Sequence, residues 1–144
     1  MINKYKAIIV DDEINSILLL KHFIRRHCVN IEIIGEALTA DSAVSLINKL
    51  EPDILLLDIW LHGKDIFEVL DHIKIYKAQA VFVTSHDEYA LKAMKYIDID
   101  YILKPVIIED LIISVNRAVR KIEQKQYFDF NKGLQIRRKK NKSL

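Results

Sequence analysis

A doubly wound α/β domain, with a five-stranded parallel sheet between two layers of helices, is what this chain predicts. Three observations carry that expectation. Short apolar runs bounded by polar residues, such as Ile54-Leu55-Leu56-Leu57, read as fully buried parallel strands. Segments with apolar residues at helical spacing alternate with those runs along the chain. Acids and a lysine close several of the runs, and the carboxyl ends of strands in an open parallel sheet share the edge where ligands bind.

Residues 6–10 read as the first strand, followed by a helix over 14–27 with Ile14, Ile17, Leu18, Leu20, Phe23 and Ile24 at near-helical spacing. Residues 31–34 form a short β-branched second strand, with Gly35 after it. Thr39 or Asp41 caps a second helix whose broad apolar face holds Ala43, Val44, Leu46, Ile47 and Leu50. Pro52-Asp53 stops that helix and leads into the third strand, 54–58. Gly63 marks the next loop, and Ile66, Phe67, Val69, Leu70 and Ile73 give a third helical face. The fourth strand is 80–84, a fourth helix covers 87–96, and the fifth strand, Tyr101-Ile102-Leu103, is cut off by Lys104-Pro105. A last helix runs from about 108 to 124. Right-handed crossovers place helices on both faces, but periodicity alone does not order the strands.

The 144 residues suit one domain, at 1–125, and the 51% hydrophobic content argues against disorder. The net charge of +2 is uneven: residues 1–125 carry 16 basic and 19 acidic side chains, whereas 126–144 carry six basic ones against Asp129. The basic run at 137–140 has no interleaved aromatics or helical period, so 126–144 reads as a solvated linker or tail. Cys28 is the only cysteine, which excludes an internal disulfide, and nothing has the length of a membrane span. A cytoplasmic protein is expected.

The strand ends supply Asp11 and Asp12, Asp58, Thr84 and Lys104 to one edge. Three carboxylates that close cannot all ionise without a cation, and a hard, oxygen-seeking ion such as Mg²⁺ suits them. The chemistry that wants this set is phosphoryl transfer to a carboxylate, with Asp58 as nucleophile. Mg²⁺ and Lys104 would neutralise phosphoryl charge, and Thr84 would donate a hydrogen bond.

Val10-Asp11-Asp12-Glu13, Leu57-Asp58, Val83-Thr84-Ser85 and Tyr101-Ile102-Leu103-Lys104-Pro105 resemble, in order and spacing, the receiver domain of two-component response regulators. The resemblance covers about residues 4–125. The stretch from His86 to Ala93, followed by Asp100-Tyr101-Ile102-Leu103-Lys104-Pro105, is similar to receivers of the LytTR class. Those usually carry a DNA-binding output domain after a linker; such a domain is expected to lie outside this chain, so DNA contact would come only through it.

The resemblance implies a flavodoxin-like sheet of order 2-1-3-4-5. It implies a phosphoryl group accepted by Asp58 from a histidine kinase or small acyl phosphate, in a protein that catalyses only its own phosphorylation and dephosphorylation. It assigns Mg²⁺ to Asp11, Asp12, Asp58 and the main-chain carbonyl of Trp60. Thr84, Ser85 and Lys104 would surround the phosphoryl group, Tyr101 would be the aromatic switch, and a cis bond before Pro105 would aim Lys104. Trp60 and His86 hold the two positions that tune dephosphorylation: shielding by Trp60 implies slow decay, water orientation by a neutral His86 a faster one. The signal would leave through the fourth helix, fifth strand and fifth helix, with a homodimer on activation in which Lys92, Lys95, Asp98 and Asp100 pair across a two-fold axis.

This chain departs from the family pattern at His62, where proline is common, at Ile66, where glycine is common, and at Ser85, where alanine or glycine is usual. A β-branched residue resists positive φ, so the start of the third helix must be built differently. Two other readings compete. An aspartyl-nucleophile phosphatase typically needs a second Asp where Trp60 stands. A receiver-like interaction module working without phosphorylation usually loses an acid or the lysine, and this chain keeps them.

Overall fold

The computed structural model describes residues 4–66, 70–72, 78–85 and 100–125. The described strands and helices run in the order β1 (Tyr5–Val10), α1 (Ile14–His27), β2 (Ile31–Ala37), α2 (Ala40–Leu50), β3 (Ile54–Leu57), β4 (Trp60–Leu61), β5 (Lys64–Asp65), β6 (Gln79–Thr84), β7 (Asp100–Leu103) and α3 (Ile108–Glu123). Five strands form one parallel sheet in the order β2-β1-β3-β6-β7. With β6 and β7 as the expected fourth and fifth strands, this is the doubly wound order 2-1-3-4-5. The fourth helix at 87–96, most of the third, and the tail from 126 onward lie outside the described residues.

The alternation of side chains along the strands splits the core into two layers. Ala7, Ile9, Ile54, Leu56, Val81 and Val83 meet Ile17, Leu20 and Ile24 of α1 and Leu111, Val115 and Ala118 of α3. Ile8, Val10, Leu55, Leu57 and Phe82 face the other way, onto Ala43 and Ile47 of α2. Every residue of β3 is buried, which explains its unbroken apolar run. Among the described residues no helix is long and apolar enough to cross a membrane.

Two departures from the expected elements have local causes. β2 does not end before Gly35 but runs through it to Ala37. A Cβ at Gly35 would stand 2.9 Å from Leu46 Cδ2, so the glycine lets α2 close onto the strand. The pairing with β1 steps from Ala7 opposite Ile33 to Ile8 opposite Gly35, leaving one extra residue on β2, a bulge. The second departure is a hairpin in the expected loop, in which Trp60 pairs with Asp65 and Leu61 with Lys64. His62 (φ 49) and Gly63 (φ 78) form its two-residue turn, the left-handed pair that such tight hairpins require. Ile66 is thereby spared positive φ and sits fully buried. Of the two candidate caps for α2, Thr39 is used: its Oγ1 accepts from the Ser42 N–H in a capping box.

Candidate functional site

The ladder places the site residues before any side chain acts. The Asp11 N–H donates to the Ala37 carbonyl (3.0 Å), the Asp58 N–H to Val10 (2.9 Å) and the Lys104 N–H to Thr84 (2.9 Å). Each is the next sheet-type bond beyond a strand end. Asp11, Asp12 and Asp58 consequently converge, each offering a carboxylate oxygen within 4.8 Å of the others.

Lys104 reaches across from the end of β7. Its Nζ donates to Asp11 Oδ2 at 2.7 Å and to Asp58 Oδ2 at 3.1 Å. The second oxygens are met by main-chain donors. Glu13 N–H lies 2.9 Å from Asp11 Oδ1, and Trp60 N–H a longer 3.4 Å from Asp58 Oδ1. Asp12 Oδ2 accepts from the His62 N–H at 3.0 Å, with the His62 imidazole Nδ1 at 3.7 Å.

Asp11 is 1% exposed and Asp58 5%. Burial pushes the Asp11 carboxyl up; Lys104 and the Glu13 N–H draw it down without cancelling that rise, and nearby Asp58 adds to it. Burial alone would lower Lys104, but its bonds and charge contacts with Asp11 and Asp58 outweigh this and hold the ammonium above its ordinary value. Burial thus dominates the shift of Asp11, and the two carboxylates that of Lys104. One ammonium faces three carboxylates, a deficit that a divalent cation would close. The chemistry of this donor set, oxygens only, fits a hard ion such as Mg²⁺.

Trp60 occupies a non-hydrogen-bonded position of the β4–β5 ladder, between the Leu61–Lys64 pair and the Ile66 N–H to Ile59 carbonyl bond of 2.7 Å. Its own N–H and carbonyl therefore point away from β5, and the N–H is directed at Asp58. Its ring is half-buried against the same layer as Tyr101. Thr84 is fully buried at the end of β6, Ser85 beside it is exposed, and the Lys104–Pro105 peptide is cis. Asp100 pairs with Arg117 of its own chain at 3.3 Å. His86, Lys92, Lys95 and Asp98 lie outside the described residues.

Sequence reasoning missed the His62 contact. The two residues are 50 positions apart, and the only local signal was a glycine following a residue that had to accept left-handed backbone.

Comparisons with known proteins bear on the fold and the family. The chain is 37% identical over 123 residues to the sensory transduction protein LytT of Bacillus anthracis, covering 84% of this chain and 49% of that protein. It is 38% identical over 104 residues to the transcriptional regulatory protein BtsR of Escherichia coli K12, covering 70% and 42%. The chain thus spans about half the length, or less, of these relatives. The crystal structure of the response regulatory domain of protein mrkE from Klebsiella pneumoniae superposes with a TM-score of 0.71 at 28% identity, over 83% of this chain and 98% of that one. Residues 7–116 match the response regulator receiver domain, and the chain belongs to that family.

Proposed function

We propose that this receiver is a phosphorylation-dependent switch in a cytoplasmic two-component pathway, with Asp58 as phosphoacceptor, a histidine kinase as donor and a transcriptional output beyond this chain as its target. The observation that carries the reading is Lys104, which bonds Asp11 and Asp58 together in a pocket where a third carboxylate converges. A structural ion pair needs one acid; three acids around one lysine cost stability, and a bound cation and phosphoryl group give that cost a purpose.

In this mechanism an Asp58 carboxylate oxygen attacks phosphorus, and the bond from phosphorus to the donor nitrogen breaks with its electron pair remaining on the imidazole. Asp11, Asp12, Asp58 and the Trp60 carbonyl would hold Mg²⁺, whose positive charge would offset the negative charge of the phosphoryl group. Lys104 exchanges its bond to Asp58 for one to a phosphoryl oxygen while keeping Asp11. Thr84, buried at the adjacent strand end, donates to another, and Ser85 leaves room for the group. Motion at Thr84 passes to Tyr101, whose strand is hydrogen-bonded alongside, and biases the face of β7 and α3, which the expected fourth helix would complete, towards a homodimer. Pairing through Asp100 requires its bond to Arg117 to be exchanged.

Trp60 provides the test. Its fluorescence is followed while Mg²⁺ and then acetyl phosphate are added, with Asp58→Asn as control. A Mg²⁺ response that acetyl phosphate extends in the wild type alone is expected. Silence at both steps would favour a module that works without phosphorylation, and turnover of an aryl phosphate would favour a phosphatase.

A further inference from the structure

Building on that reading of the pocket, we propose that His62 is a positioning residue for the cation. Its main-chain N–H, presented by the left-handed turn of the β4–β5 hairpin, holds Asp12 in a ligating orientation.

The three acids are not held alike. Asp11 and Asp58 each accept from a main-chain N–H two residues further on, in Glu13 and Trp60, a local bond that a chain leaving a strand makes readily. Among the described residues Asp12 has no such local donor; its Oδ2 accepts from His62, 50 residues away, at 3.0 Å. The orientation of Asp12 therefore depends on where the hairpin stands. The hairpin stands firmly, because Leu61 and Ile66 are buried and the Ile66 N–H bonds the Ile59 carbonyl.

The imidazole is not the working group. Its side chain is 66% exposed and its Nδ1 lies 3.7 Å from Asp12, beyond hydrogen-bond distance. What position 62 contributes is an N–H and a residue that accepts φ 49. Histidine is among the few non-glycine types enriched in that backbone region. A carboxylate oxygen has two lone-pair directions, so an N–H on one leaves the other for a cation. Donors of this kind, one step removed from the ion, typically change metal affinity by about 10–100-fold. Proline at this position has no N–H and cannot adopt the turn.

The experiment is a calorimetric Mg²⁺ titration of the full chain and of His62→Pro, His62→Asn and His62→Gly, with metal-free thermal midpoints recorded alongside. His62→Pro should bind about 10–100-fold more weakly, whereas Asn and Gly, which keep the N–H and tolerate the turn, should bind as the wild type does. Wild-type affinity in His62→Pro, or an Asn variant as weak as the Pro variant, would overturn the proposal. Should His62→Pro fail to fold, hydrogen exchange at the His62 amide decides. Slow exchange that Asp12→Ala releases supports the proposal, and unprotected exchange in the wild type defeats it. A wild type that binds no Mg²⁺ while its His62 amide is still protected would instead sink the functional reading on which this one rests.

Discussion

Aspartates stand at both ends of β3, and the two ends use them in opposite ways. Before β3, Asp53 stitches the sheet together: its Oδ2 accepts from the Lys6 N–H at 2.8 Å, its N–H donates to the Lys6 carbonyl at 2.8 Å, and its carbonyl accepts from Gln79 at 2.9 Å. No second acid shares these bonds, and its carboxylate serves the fold. After β1 and β3, the carboxylates of Asp11 and Asp58 crowd one another and depend on a shared lysine. An acid at a strand end is therefore no site by itself. Convergence of like charges on a single counter-ion separates the candidate site from the structural end.

The contrast is broken most forcefully at Lys104. Lys104→Met leaves Asp11 and Asp58 without their shared cation, and the metal-free protein should lose roughly 3 kcal/mol. That is the low end for a broken buried pair, because the Lys104 side chain is still 16% exposed. Denaturant unfolding measures it, and added Mg²⁺ should recover much of the loss by replacing the missing charge. No loss at all would mean that the pocket is wetter than its burial implies.

At the opposite end, Asp53→Ala should lower stability by about 1–2 kcal/mol through the lost bond to the Lys6 N–H, while Mg²⁺ affinity and phosphorylation stay unchanged. A change in metal binding would show that the two ends are not independent.

The subtlest effect has the reverse sign. Because the folded protein raises the Asp11 carboxyl, that group's contribution to stability is present below its unfolded range and is lost as pH rises through the higher folded value. Asp11→Asn, neutral at every pH, should therefore melt a few degrees above the metal-free wild type at neutral pH. The gap should close in acid and reverse when Mg²⁺ is added, and melting curves across pH with and without Mg²⁺ check this. A gap that persists unchanged in acid would point to packing rather than charge.

Much of this was legible in the residues. The four buried residues of β3 were an unbroken apolar run, and the acids and lysine that end the strands stood at run ends. The strand order came with the family resemblance and not with periodicity. What escaped was structure that leaves no period. Two-residue strands such as β4 and β5 are too short to alternate. Gly35 reads as a terminator until Leu46 is seen lying over it. The bond between Asp12 and His62 exists only after folding brings the hairpin across the strand ends.

The division between ladder and hairpin also bears on how such a domain changes over time. Asp11, Asp58 and Lys104 are held at their backbones by bonds that continue the sheet, so they travel with the sheet as one inherited floor. The hairpin rim is attached separately and answers to its own turn chemistry. Substitutions at 62 or 66 can therefore remodel the rim without moving the floor, which leaves a lineage free to reshape the mouth of the pocket while its acids and lysine stay in place.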